Sequence, residues 1–194
     1  IALDVSGIDP TNVSSFRSTF MDVGKLETLD LSAWIGKPKK VTNLRQTFFK
    51  MTAVKELNLS QWNLSDLEVM FSCFNGCSNA QIILDGWSDP ALVPKGNKLN
   101  AVAHAFDGCS SMTGIVDISN WETLGLAGKK DDLADPDTNR AWDPTYDLEY
   151  LFNNCTSLQG VRLEKWNFTN VQFFSNVFNG CNSLTLIDLK GAKA

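Results

Sequence analysis

The sequence predicts an α/β solenoid, a coil of stacked repeats with helices on one side and a narrow parallel sheet on the other. Two series of residues show the repeat. A phenylalanine recurs at gaps of 28, 26, 32, 46 and 26 residues, at Phe20, Phe48, Phe74, Phe106, Phe152 and Phe178. A tryptophan follows in the same register, at Trp34, Trp62, Trp87, Trp121 and Trp166. A period of about 26 residues is typical of repeat proteins, whose units bury their apolar faces against one another.

The apolar spacing inside a unit predicts one helix followed by one short strand. In the last unit, apolar residues recur at steps of three and four from Val171 to Cys181, which places them on one stripe of a helix. The residues that close the unit have the Leu-x-x-Leu-x-Leu spacing of a short strand, at Leu184, Ile187 and Leu189. Asn or Asp before the first segment suits a helix N-cap, and Gly before the cysteine suits a left-handed helix end. We therefore expect about six helix–turn–strand units in a single domain spanning residues 1–194.

The amino-acid composition limits the classes of protein to which this chain can belong. The chain has 194 residues, of which 43% are hydrophobic and 20% are charged, as in an ordinary globular domain with a sizeable core. The net charge is −5, whereas nucleic-acid binding normally requires a basic face, so we expect no nucleic-acid partner. No apolar run reaches the roughly 18 residues of a membrane span, so we expect none in this segment. Because the chain begins at Ile1, we expect it to be part of a longer protein.

Cysteine usage predicts packing rather than cross-linking. Four of the five thiols occupy one position of the unit, at Cys77, Cys109, Cys155 and Cys181. Val23 and Met51 fill that position in the first two units, so the position favours a small or medium apolar side chain, and we expect buried free thiols. A disulfide between closely stacked units and a zinc site are the alternatives. Cys73 lies off the apolar stripe, and we expect it to be partly exposed and reactive.

The remaining chemistry-bearing residues suggest structural roles. Each Trp of the series is expected to pack on the core and donate its indole N–H to a turn carbonyl, although a stacked aromatic row could instead bind sugar rings. His104 is expected to be a partly exposed helix residue, because no nucleophile motif surrounds it. The sequence holds no recognised phosphate-binding, metalloprotease or nucleophile-elbow motif. We therefore expect no enzymatic activity and no cofactor.

The repeat motif resembles a known family. "LETLDLSAW", "VKELNLSQW" and "SLTLIDLKG" each follow a V-x-x-[LFM]-x-x-x-F-x-x-C-like segment. This pattern, over residues 3–191 apart from two insertions, is similar to the BspA-like leucine-rich repeats of bacterial surface proteins and lipoproteins. The resemblance implies a right-handed leucine-rich-repeat coil, an extracellular or cell-surface location, and adhesion or binding without catalytic residues. The sequon at Asn154 precedes a cysteine assigned to the core, which argues against a eukaryotic secretory origin.

Two regions are candidates for ligand binding. The first is the outward position of the strands, which carries Asp30, Asn58, Ile83, Asp117, Arg162 and Asp188. The second is the longer of two insertions, near 88–98 and 122–147, in which Arg140 lies near two aromatic residues, Trp142 and Tyr146. Within it, three residues have the alternate-oxygen spacing of a calcium loop, at Asp135, Asp137 and Asn139. A solvated charged loop is the favoured interpretation of those three, because the Gly and the distal Glu of an EF-hand are missing.

These observations favour a binding or adhesion module that recognises a protein or glycan at a bacterial surface. The alternative is a structural spacer or assembly module of a cell-envelope or virion complex. In that case, the ends of the coil would contact neighbouring domains.

Overall fold

The computed structural model of the chain describes residues 1–95, 98–123, 148–169 and 171–193. Seven short strands are present, and every pair is parallel. Their bounds are β1 Ala2–Asp4, β2 Thr28–Asp30, β3 Glu56–Asn58, β4 Gln81–Ile83, β5 Gly114–Asp117, β6 Leu158–Arg162 and β7 Leu186–Asp188. They form three small sheets in chain order, with β1 beside β2, β3 beside β4, and β6 between β5 and β7. The predicted parallel stacking of repeats is therefore confirmed.

The predicted helices are wrong. Among the described residues, the one helix is a three-residue 3-10 helix, Ser32–Trp34, so none is long and apolar enough to cross a membrane. In place of each predicted α-helix lies a run of consecutive turns, which we call the turn ribbon. The ribbons occupy residues 16–22, 44–50, 70–76, 102–108, 148–154 and 174–180.

Backbone torsion explains why the ribbon is not a helix. Each ribbon has two residues in the left-handed region, four positions apart. The first position has φ between 51° and 57°, at Ser18, Gln46, Ser72, His104, Tyr150 and Asn176. The second has φ between 55° and 77°, at Asp22, Lys50, Gly76, Gly108, Asn154 and Gly180. A left-handed residue every fourth position is incompatible with a right-handed α-helix. The glycines predicted to be left-handed are so, but no helix ends at them.

The ribbon divides its N–H groups between two directions. In the second unit, alternate N–H groups donate to carbonyls of the third unit at 2.7–2.9 Å, from Leu44, Gln46, Phe48 and Lys50. The N–H groups between them, at Thr47, Phe49 and Met51, bond three residues back within their own unit at 3.2–3.3 Å. About half of the N–H groups of the ribbon therefore form hydrogen bonds to the neighbouring unit, whereas an α-helix would use nearly all of its N–H groups internally.

An aromatic core fills the space between the ribbons and the strands. The six phenylalanines of the repeat form one continuous stack, with neighbouring ring centroids 5.1–5.9 Å apart and rings within 20° of parallel. The five repeat tryptophans are at most 3% exposed, so the prediction that they pack on the core is confirmed. Four of them donate Nε1–H to backbone carbonyls, and Trp62 Nε1 has no partner among the described residues.

Candidate functional site

The predicted strand-face residues lie at one register position of the stack. Asp117, Arg162 and Asp188 are direct neighbours across β5, β6 and β7. Asn58 pairs with Ile83 in the middle sheet, and Asp30 lies in β2 at the other end. All of these side chains are exposed or half-buried. They therefore form a row along one surface, which we call the strand face.

The acidic and amide members of this row also have a structural task. The Oδ1 atoms of Asp30, Asn58, Asp117 and Asp188 each accept the N–H two residues further on, at 2.9–3.1 Å. Such Asx turns end β2, β3, β5 and β7 and redirect the chain. Hydrogen bonds from the hydroxyl and N–H of Ser32 hold the pKa of the Asp30 carboxyl below its usual range. For three of the four, the sequence signal was present as Asp or Asn two residues before Ser, but residue-type reasoning did not use it.

Arg162 interacts with this row. Its Nη1 atom lies 3.5 Å from Oδ2 of Asp117, and the two side chains are 44% and 32% exposed. The pair is a partly solvated ion pair, which contributes little to stability. The guanidinium of Arg162 therefore remains accessible at the surface between two carboxylates.

The strand face is interrupted twice, and a cleft opens at each interruption. The first cleft separates β2 from β3 and is lined by residues 27–32 together with Lys55, Glu56 and Asn58. The second cleft separates β4 from β5 and is lined by residues 81–86, Ser88 and residues 113–117. At both clefts two neighbouring strands do not pair.

Side-chain bonding partly replaces the missing strand pairing at the second cleft. Oε1 of Gln81 accepts both the N–H and the hydroxyl of Thr113, each at 3.0 Å. Asp85 is exposed at the rim, and Ile115 is a large apolar side chain that is 49% exposed. Sequence reasoning missed both clefts. Unit spacing does not reveal them, because the repeat phenylalanines are 28 and 32 residues apart at the two interruptions but 46 residues apart where β5 and β6 pair.

The predicted loop residues lie outside the described residues. This applies to the aromatic and basic group Arg140, Trp142 and Tyr146 and to the calcium candidates Asp135, Asp137 and Asn139. Within the ranges that the structure describes, no three or more His, Cys, Asp or Glu side chains are arranged to hold a metal ion.

The repeat thiols pack and also form hydrogen bonds. All are free, and each donates to the phenylalanine carbonyl of the preceding unit at 2.9–3.2 Å, from Cys77, Cys109, Cys155 and Cys181. Burial raises the pKa of Cys77 to about 12 and that of Cys109 well above its usual value. The prediction of free thiols in packing positions is therefore confirmed, although Cys181 is only half-buried.

The prediction that Cys73 is exposed is wrong. Its side chain is fully buried, and burial raises the pKa of its thiol well above the usual value. The prediction assumed a helix, in which the residue before Phe74 would point away from the apolar stripe. In the turn ribbon this position faces the core instead, as the buried equivalents Thr47, Ala105 and Leu151 show.

His104 lies in a turn ribbon rather than in a helix, at one of the left-handed positions. Its ring stacks on Tyr150 with centroids 4.8 Å apart, and its Nδ1 lies 2.9 Å from Oδ2 of Asp107. The other carboxylate oxygen of Asp107 accepts a hydrogen bond from Asn153, whose own side-chain oxygen accepts one from Asn179. These contacts form a polar ladder on the outer surface of the ribbons.

Fold and site together define a parallel-strand repeat protein with an aromatic core and an interrupted strand face. The chain belongs to the family described as "Mycoplasma protein of unknown function, DUF285", whose model matches residues 2–88 and 146–190. The matched segments contain the first cleft and the C-terminal sheet strands β6 and β7. Neither a search of curated proteins nor a search of solved structures found a match to this chain.

Proposed function

We propose that this protein is a non-enzymatic binding module that recognises a protein or glycan ligand through its strand face, with help from the 122–147 loop. Its similarity to BspA-like leucine-rich repeats supports a place on a bacterial surface. The observation that carries the proposal is the double interruption of the strand face. Two clefts open there on one side of a stack that is held by a continuous aromatic core.

The chemistry of the clefts suits a hydroxyl-rich or peptide ligand. In the first cleft, the carboxylates of Glu27 and Glu56 lie beside Lys55, so hydrogen-bond acceptors and a cationic donor share one surface. In the second cleft, Asp85 provides an acceptor beside the exposed side chain of Ile115. Sugars and peptides present hydroxyl or amide donors next to apolar C–H surface, and binding sites for them combine these two kinds of group.

The nucleophilic side chains have packing roles, which supports binding rather than catalysis. The repeat thiols donate to backbone carbonyls, and burial raises the pKa of Cys73, Cys77 and Cys109. A thiol that stays protonated is a poor nucleophile. The core therefore serves as a scaffold for the surface.

A binding experiment with matched variants tests the proposal. The wild-type chain is screened against glycan and bacterial or host surface-protein arrays, and the affinity of any ligand is measured by calorimetry. Glu56→Ala and Asp85→Ala alter the clefts without removing an Asx turn, and Ile115→Ala removes the apolar contact. We expect the triple variant to bind at least tenfold more weakly, while Glu68→Ala, which removes an exposed carboxylate outside both clefts, binds normally. Wild-type affinity in the triple variant would overturn the assignment of the clefts.

The loop contribution needs its own variant. Arg140→Ala, Trp142→Ala and Tyr146→Ala are combined in one chain and measured against the same ligand. We expect a further loss of affinity if the loop and the strand face hold one ligand together. Unchanged affinity would remove the loop from the proposed site.

One observation favours the alternative function, an assembly or spacer module. The last unit exposes apolar side chains that are fully buried in other units: Phe174 is 52%, Ile187 44% and Leu189 44% exposed. Their equivalents in the second unit, Leu44, Leu57 and Leu59, are 0% exposed. A neighbouring module could cover this end. Sedimentation that shows one mass at all concentrations up to the millimolar range would count against self-assembly through it.

A further inference from the structure

The five thiols of the chain differ in their access to solvent. Cys73, Cys77, Cys109 and Cys155 are fully buried, because each lies between two stacked ribbons. Cys181 directly follows the last described ribbon and is half-buried, since none of the described residues packs on the outer side of that ribbon. Any thiol reagent of low molecular weight therefore meets Cys181 first.

The neighbour of Cys181 is another thiol of the same ladder. Sγ of Cys181 and the N–H of Cys155 donate to one atom, the carbonyl oxygen of Phe152, at 2.9 and 3.2 Å. One residue earlier, the N–H of Asn154 donates to the carbonyl of Asn179 at 2.7 Å. The two cysteines therefore lie at matching positions of directly hydrogen-bonded ribbons. Backbones paired in this way are about 4.8 Å apart, within the roughly 4.4–6.8 Å between Cα atoms that a disulfide accepts.

The two thiols also influence each other. Interaction with the Cys155 side chain lowers the pKa of Cys181, whereas the same interaction and burial raise the pKa of Cys155. The thiolate is the reactive form in disulfide exchange. Cys181 is thus both the accessible and the more readily ionised member of the pair.

We infer that Cys181 and Cys155 form a thiol pair that low-molecular-weight disulfides oxidise, with Cys181 as the attacking residue and Cys155 as the resolving residue. The Cys181 thiolate attacks one sulfur of the oxidant, which forms a mixed disulfide and releases one thiolate. Local opening of this unit then exposes Cys155, which loses its proton to solvent and attacks Sγ of Cys181, and the second half of the oxidant leaves as a thiolate. The two cysteines are oxidised by two electrons, and the small disulfide is reduced to two thiols.

The cross-link would act on the least protected unit. The last ribbon donates no N–H group to a further unit among the described residues, and its apolar side chains are the most exposed of the repeat. Among the described residues this unit has a bonded neighbour on one side, so its opening breaks fewer inter-unit hydrogen bonds than that of an inner unit. A Cys155–Cys181 disulfide would tie this unit to the one before it.

Mass spectrometry and hydrogen exchange test the inference. The reduced, folded chain is incubated with oxidised glutathione, quenched in acid and analysed intact and after digestion. We expect a product lighter by two hydrogen atoms, with one cross-linked peptide pair that contains Cys155 and Cys181. We also expect slower amide exchange in residues 171–190 of the oxidised chain than of the reduced chain.

Valine variants provide the controls, because Val23 fills the same position in the first unit. Cys155→Val should stop at a stable glutathione adduct on Cys181, and Cys181→Val should gain no adduct. Both variants are first checked for native tryptophan fluorescence. The inference is overturned by an adduct on Cys73, Cys77 or Cys109, by a wild-type adduct that never resolves, or by no reaction at all. These outcomes are independent of ligand binding at the clefts.

Discussion

Substitution of Gly108 by alanine tests the left-handed backbone conformation at the second special position of the turn ribbon. Gly108 has a φ of +73° and occupies the second left-handed position of its ribbon. A Cβ atom built there lies 3.6 Å from the nearest neighbouring atoms, which belong to Gly76, so it meets ordinary van der Waals contact. Any effect of the substitution on stability therefore comes from backbone conformation rather than from crowding.

The expected sign follows from conformational energies. A non-glycine residue in the left-handed region costs roughly 1–2 kcal/mol, and the lower entropy of the unfolded alanine chain offsets about 0.4–1 kcal/mol of this. We therefore expect Gly108→Ala to lower the free energy of unfolding by about 1 kcal/mol. If Gly108 had a right-handed helical conformation, the same change would raise the free energy of unfolding by about 0.5–1 kcal/mol. Gly108→Asn should cost less than alanine, because Asn tolerates this region and Asn154 occupies the same position in the next unit.

Urea unfolding, followed by the fluorescence of the six tryptophans, measures these differences. Gly7→Ala is the matched control, since a Cβ atom added to Gly7 would have no neighbouring atom within 4 Å and the φ of Gly7 is not positive. We expect the control to unfold at the wild-type midpoint or slightly above it. If Gly108→Ala is as stable as wild type or more stable, the ribbon geometry is refuted at this position.

Three further outcomes follow from the core and the strand face. Trp121→Phe should lower the free energy of unfolding by about 1 kcal/mol more than Trp62→Phe. Trp121 loses a 2.7 Å hydrogen bond to the Trp87 carbonyl, whereas Trp62 Nε1 has no partner to lose among the described residues. Thermal unfolding compares the two variants. Burial raises the pKa of Cys77 from 9.0 to about 12. The stabilisation provided by the buried, protonated thiol is therefore complete below pH 9, and the free energy of unfolding falls by about 1.4 kcal/mol per pH unit between pH 9 and pH 12. Unfolding at pH 8, 10 and 11 should show this fall, and Cys77→Val should reduce its slope. Asn58→Ala should cost about 1 kcal/mol through loss of its Asx turn, whereas Glu56→Ala should be neutral in the same urea assay.

The repeat period and the core could be predicted from sequence because both depend on apolar spacing. The Phe and Trp series determined which residues meet between units, and the structure buries all of them except Phe178, which is half-buried. The local backbone could not be predicted in this way. Steps of three and four residues place Phe48 and Met51 on one side of either an α-helix or a chain of turns. The distinguishing signal was Gly76, Gly108 and Gly180 at one repeated position, which we interpreted as helix ends.

The candidate site was less accessible to sequence reasoning. Alternation along short strands correctly placed Asp117, Arg162 and Asp188 at neighbouring register positions. This alternation gave no information on where adjacent strands fail to pair, because pairing depends on how the segment between two consecutive strands directs the chain. The clefts beside Glu56 and Ile115 therefore became visible only in three dimensions.

The cysteine position shows why burial alone was an incomplete explanation. Because the buried Met51 occupies it in the second unit, apolar packing is sufficient for the fold there, whereas Val23 of the first unit is 39% exposed. Later units place a thiol there, and its Sγ reaches the phenylalanine carbonyl of the unit before, as from Cys109 to Phe74 at 3.2 Å. That oxygen already accepts the N–H of Cys77 within its own unit, so the thiol supplies a second donor to a buried carbonyl. A carbonyl has two lone pairs, and a buried one is stabilised when both are used. Cysteine combines the size that the core requires with a weak donor that valine lacks, which accounts for its recurrence at this position without a metal or a cross-link.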